Sequence, residues 1–181
     1  MRPTKLAFLF TLLLTYLTLN TLYAQQNPDF RTVRWGTTAK EVKEAEVAKL
    51  SSRKRDRLIY NQVPLVDRMV GLEYEFNNDS LITASYYYYM RASITKDDVI
   101  AASVEFENAL TEKYGKGKSS FVGDIRNVVW LTPRTQISLS VGNVDRGWSA
   151  EVQYVCRICS AEAAKALANK EFKPLKDVKD F

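Results

Sequence analysis

The sequence predicts an α+β fold, with helices packed on one face of a single antiparallel sheet. Helix-start signals stand at Thr38 and Thr95. Several segments alternate apolar and polar residues with the period of two expected of half-buried strands. These elements come in series, a helix and then antiparallel strands, twice over, which also admits tandem helix-plus-strands units, although the halves share no convincing residue-level identity.

Residues 1–24 are expected to be a secretory signal peptide. Arg2 and Lys5 supply its positive start, Leu6 to Leu19 its apolar core, and Leu22 and Ala24 the positions before a cut ahead of Gln25. The apolar stretch is short for a span of roughly 20 residues, so no stable membrane span is expected after cleavage. No cysteine follows it to carry a lipid. The remaining 157 of 181 residues suit one domain, 25–159, with a C-terminal helix and tail over 160–181. The location expected is periplasmic or secreted.

Phe30, Val33 and Trp35 suggest an irregular or edge strand ended by Gly36. Thr38-x-x-Glu41 is a capping box opening a helix over 38–50, with Ala39, Val42, Ala45 and Leu50 on its apolar side. Ser51, Ser52 and the basic run Arg53 to Arg57 suggest a solvated loop. Leu58 to Gln62 reads as a short strand stopped near Pro64. In Met69 to Phe76, Val70, Leu72, Tyr74 and Phe76 share one face, and the turn Asn77 to Ser80 returns the chain into a strand over Leu81 to Met90. Thr95-x-x-Asp98 opens a second helix, with Val99, Ser103, Phe106, Leu110 and Tyr114 on one side and Gly115 as its C-terminal residue. GKGKSS follows as a mobile basic loop. Strands are expected over Ile125 to Leu131, Thr135 to Val141 and Trp148 to Cys156, and a third helix, capped by Ser160, over 161–171.

Composition excludes several chemistries. The chain has no histidine, which removes Ser-His-Asp and Cys-His nucleophile arrangements. Two cysteines are too few for a structural zinc site, so no metal and no cofactor are expected. Loss of Arg2 and Lys5 lowers the formal charge from +5 to +3, and the excess is spread along the chain, so nucleic acid is not an expected partner. Asp97 and Asp98 suit a helix N-terminus. GKGKSS lacks the phosphate-loop spacing.

Phe30, Trp35-Gly36, Thr38 and Glu41-Val42, with Glu112-Lys113-Tyr114-Gly115 and Trp130 further on, resemble a family of small secreted bacterial domains of uncharacterised function. The resemblance covers about residues 28–157. In topology the helix-then-strands unit is also similar to the small lipoprotein of the outer-membrane barrel assembly machinery and to the secreted beta-lactamase inhibitor protein. Both act by protein contact, so the resemblance implies a binding or assembly role. It carries over no functional residue: this chain lacks the first protein's lipid-modified cysteine, and no inhibitory loop maps from the second.

Two local features are candidate sites. Alternation puts Tyr86 and Tyr88 on one sheet face and Tyr87 and Tyr89 on the other. One pair is expected under the helices; the other offers broad, rigid contact area with hydroxyls for a protein or glycan, unless it too is ordinary strand packing. Cys156 and Cys159 fit a local structural disulfide, unpaired thiols or a redox pair, and they can meet only if their strand ends by Arg157. The functional expectation is a non-catalytic interaction domain for an envelope or extracellular protein. A binder of small ligands or glycans through the tyrosine face is the alternative, and a thiol redox or hydrolytic enzyme ranks third.

Overall fold

A computed structural model of the chain describes residues 27–144 and 147–159. The expected signal peptide and the helix over 161–171 lie outside the described residues. Eight strands form one antiparallel sheet: β1 (Leu50–Lys54), β2 (Arg57–Leu65), β3 (Arg68–Asn77), β4 (Ser80–Tyr89), β5 (Lys118–Val122), β6 (Ile125–Leu131), β7 (Thr135–Val144) and β8 (Gly147–Cys156). Their spatial order is β1-β2-β3-β4-β8-β7-β6-β5, so two four-stranded meanders meet where β4 pairs with β8. Helix α1 (Ala39–Ala45) precedes the first meander and α2 (Lys96–Tyr114) the second.

This architecture overturns the α+β expectation. Of the described residues 53% are in strands and 20% in helices, a mostly-sheet fold. The expected first helix runs only seven residues and buries Val42 alone. Glu46 ends it with extended backbone, and the segment expected to be helix end and basic loop forms the β1–β2 hairpin. GKGKSS likewise runs into β5. Both missed strands are edges whose residues face water almost throughout, so neither has an inward apolar alternation to betray it. Lysine and arginine on such edges discourage pairing with another chain.

Elsewhere local chemistry sets the elements. Thr38 and Thr95 each accept from the amide three residues on, while Glu41 and Asp98 accept from the two threonine amides at 2.9 and 2.8 Å. Asn78 and Asp79 take positive φ in the two-residue turn between β3 and β4, the conformation that matches the twist of paired strands. Strand β2 continues past its expected stop through an irregularity at Asn61 and Gln62 to pair Pro64 with Met69. The ladder with β1 extends only to Tyr60, so Pro64 lies on a local edge, where proline is tolerated.

Both helices lie on the sheet face that carries Leu72, Tyr74, Tyr86, Tyr88, Leu139 and Val152, all buried. Residues 28–36 form a strap on this same face rather than a sheet strand: a Phe30–Val33 bridge closes it on itself, and the Gly36 amide donates to the Leu81 carbonyl at 2.9 Å. Phe30 packs edge-on against Tyr74 and Tyr154 and tilted against Tyr86, and the Trp35 indole donates to Thr135 Oγ1 at 2.8 Å. Glu46, with a side chain only 1% exposed, ties strap to sheet: it accepts from Tyr74 Oη at 2.7 Å and from Arg31 Nε at 2.9 Å. The second meander is locked to α2 by Trp130, whose indole donates to the Gly115 carbonyl at 2.8 Å.

Candidate functional site

With the strap and both helices on one side, the opposite face of the sheet carries no helix among the described residues. At its centre Gly71, Tyr87, Glu151 and Ser140 stand in register across β3, β4, β8 and β7. Glu73, Ser85, Gln153 and Ser138 form the adjacent row. The Tyr87 ring packs beside Gly71, 3.6 Å from where a β-carbon would project. Tyr89 and Met69, each 51% exposed, continue the surface outward. With Ile59 and Glu73 these residues border a hollow of about 500 Å³.

The polar groups here are held unequally. Glu73 accepts from Arg57 Nη1 at 2.8 Å and so has a cation beside it. Glu151 has no such cation among the described residues. Burial raises its carboxyl above the ordinary range and the Glu73 charge adds to the shift, while the Ser85 hydroxyl opposes it. Burial also raises the Tyr87 phenol, helped by Glu73 and Glu151, so this ring stays a neutral hydroxyl donor. A desolvated carboxylate without a cation, beside a phenol and an exposed aromatic, is suited to receive a donor or a positive group from outside.

The sign of that shift gives a test. An unfolded Glu151 titrates near its ordinary value of 4.5, and the folded group titrates higher. The cost of ionising it in the folded state is absent below that value and grows as pH rises through the folded pKa. Glu151→Gln is therefore expected to raise the melting temperature at pH 7, with the advantage gone at pH 4. Thermal unfolding of both proteins across that range measures it.

The four tyrosines divide as alternation requires. Tyr86 and Tyr88 are buried under the helices, at 5% and 7% exposure, and belong to the core. Tyr87 and Tyr89 are on the helix-free face. Cys156, the last residue of β8, and Cys159 are joined in a disulfide, 5.7 Å between Cα atoms. Cys156 is 1% exposed and packs in the core. The bridge closes a loop only three residues apart, so replacing both cysteines by alanine is expected to cost about 2 kcal/mol in urea unfolding. Its presence fits a non-cytoplasmic setting, and no helix among the described residues is long and apolar enough to cross a membrane.

Glu151, Ser85 and Gly71 escaped the sequence reading. Alternation in Trp148 to Cys156 does point Glu151 away from the core. Its position beside Tyr87, however, follows from the β4–β8 ladder, which joins residues sixty or more positions apart. Comparison with known protein families, curated proteins and solved structures finds no match.

Proposed function

We propose that this is a periplasmic or secreted, non-catalytic interaction domain that receives an envelope or extracellular protein on the helix-free face of its sheet. The observation that carries this reading is the juxtaposition of exposed Tyr89 and Met69 with Tyr87 and an uncompensated Glu151 at the centre of that face. Aromatic side chains around a desolvated polar group are what a protein contact exploits. Holding Glu151 there costs stability, and such costs are kept where a surface works. The resemblance to domains that act by protein contact points the same way.

The test is co-purification of the full chain from its native envelope, wild type beside the Tyr87→Ala, Tyr89→Ala double variant. A stoichiometric protein retained by the first and lost from the second supports the reading; equal retention, or none by either, rejects it. The hollow of about 500 Å³ beside Tyr87 and Tyr89 favours a second reading, a glycan or small ligand lying along the two rings.

A further inference from the structure

A larger cavity, of about 800 Å³ and open to solvent on one side, lies on the other side of the sheet, lined by the strap, the C-terminal half of α2 and the turns after β2 and β6. That volume is within the usual range of small-molecule sites, roughly 300–1,000 Å³. Its walls are largely apolar, with Phe106 and Leu110 from α2 facing Val152 of β8. Polar groups converge at one end. The Tyr86 hydroxyl accepts from Arg31 Nη1 at 3.4 Å, leaving its own proton to donate. Tyr114 and Tyr154 also line the cavity, and burial keeps the Tyr86 and Tyr154 phenols neutral.

The charges around the cavity are not balanced. Arg31 is committed to Glu46 and Arg134 to Asp29, at 2.9 and 2.7 Å. Lys113 has no carboxylate partner among the described residues; its contact is the Tyr114 ring, 5.1 Å away. The cavity thus pairs an apolar interior with a positive, donor-rich end. At the β2–β3 turn Val66, a β-branched residue, is held at φ 51°, a strained conformation of the kind that gathers at ligand clamps.

We propose that this cavity binds a small amphiphilic acid, with its hydrocarbon chain against Phe106, Leu110 and Val152 and its carboxylate at Lys113 and the tyrosine hydroxyls. A carboxylate takes up both the lysine charge and the phenol protons, which an alcohol or ester of the same chain cannot do. The site is separate from the helix-free face and does not depend on it.

Calorimetric titration of the full chain with dodecanoate, beside dodecanol and methyl dodecanoate, tests this. The acid is expected to fill one saturable site, about tenfold or more tighter than either neutral analogue. Lys113→Met, at an exposed position, is expected to remove that preference while leaving dodecanol binding unchanged. Ala109→Trp, also exposed and at the cavity wall, is expected to abolish binding of all three by filling the space. Failure of dodecanoate to saturate one site would overturn the proposal. So would equal affinity for acid and ester, or binding by Ala109→Trp as tight as by the wild type.

Discussion

Replacing Glu46 with alanine is expected to destabilise the protein by about 3–5 kcal/mol, the largest loss of any single polar substitution considered. The carboxylate is 1% exposed and fully engaged: Tyr74 Oη donates to it at 2.7 Å, Arg31 Nε at 2.9 Å and Nη2 at 3.2 Å, and the Ala48 amide at 3.1 Å. Alanine would leave a half-buried guanidinium without its counter-charge and a buried phenol without its acceptor, against a core that cannot readily admit water to replace them. The strap would loosen first, because Arg31 is the residue through which Glu46 holds it. Glu46→Gln keeps an acceptor for Tyr74 and is expected to cost less. Urea unfolding of both variants, with Arg31→Met and the Arg31→Met, Glu46→Ala pair to complete a cycle, separates the ion pair from the tyrosine bond. A loss below about 1 kcal/mol for Glu46→Ala would mean that the strap is held by its other contacts, the Phe30 packing and the Trp35–Thr135 and Asp29–Arg134 bonds among them.

The second large effect is expected in binding. Tyr87→Ala and Tyr89→Ala together should weaken partner affinity by about 2 kcal/mol or more, roughly thirtyfold, as central aromatic contacts do. The two residues should not contribute alike. Tyr89, 51% exposed, can be removed with little change in folding, so its loss should appear almost wholly as faster dissociation. Tyr87 covers Gly71 and adjoins Glu151, so its removal also uncovers sheet backbone and is expected to lower the melting temperature modestly. Kinetic binding measurements on each single variant, with thermal unfolding alongside, distinguish the two contributions. Affinity unchanged in the Tyr89→Ala protein would place the contact elsewhere.

Much of the first meander's centre was legible in the sequence. Val70, Leu72, Tyr74 and Phe76 share a buried face as their alternation predicts, and Asn78-Asp79 turns the hairpin. The stripe of Val99, Ser103, Phe106 and Leu110 places α2 correctly, and Gly115 ends it at φ 80°. What failed was the balance of helix to strand. Strands β1 and β5 are edges with no inward apolar pattern, and the charged run after Val42 resembles a solvated helix face until Glu46 is seen buried. A glutamate in KEVKEAE carries no sequence mark of burial, because its partners Arg31 and Tyr74 come from outside the helix. The same limit applied at the candidate site. Period two separates Tyr87 and Tyr89 from Tyr86 and Tyr88. The company they keep depends on β4 pairing with β8, a contact between distant halves of the chain. The cavity, built from strap, helix and two turns, lies wholly beyond local pattern.

The central claim, that the helix-free face is the contact surface, is tested most directly by placing a photo-crosslinking residue at position 89. The same residue at position 104, an equally exposed site on α2, serves as the control, since Val104 and Tyr89 are both 51% exposed. Irradiation in the native envelope is expected to yield one reproducible protein adduct from position 89 and none from 104. An adduct from 104 alone, or from neither, would contradict the claim.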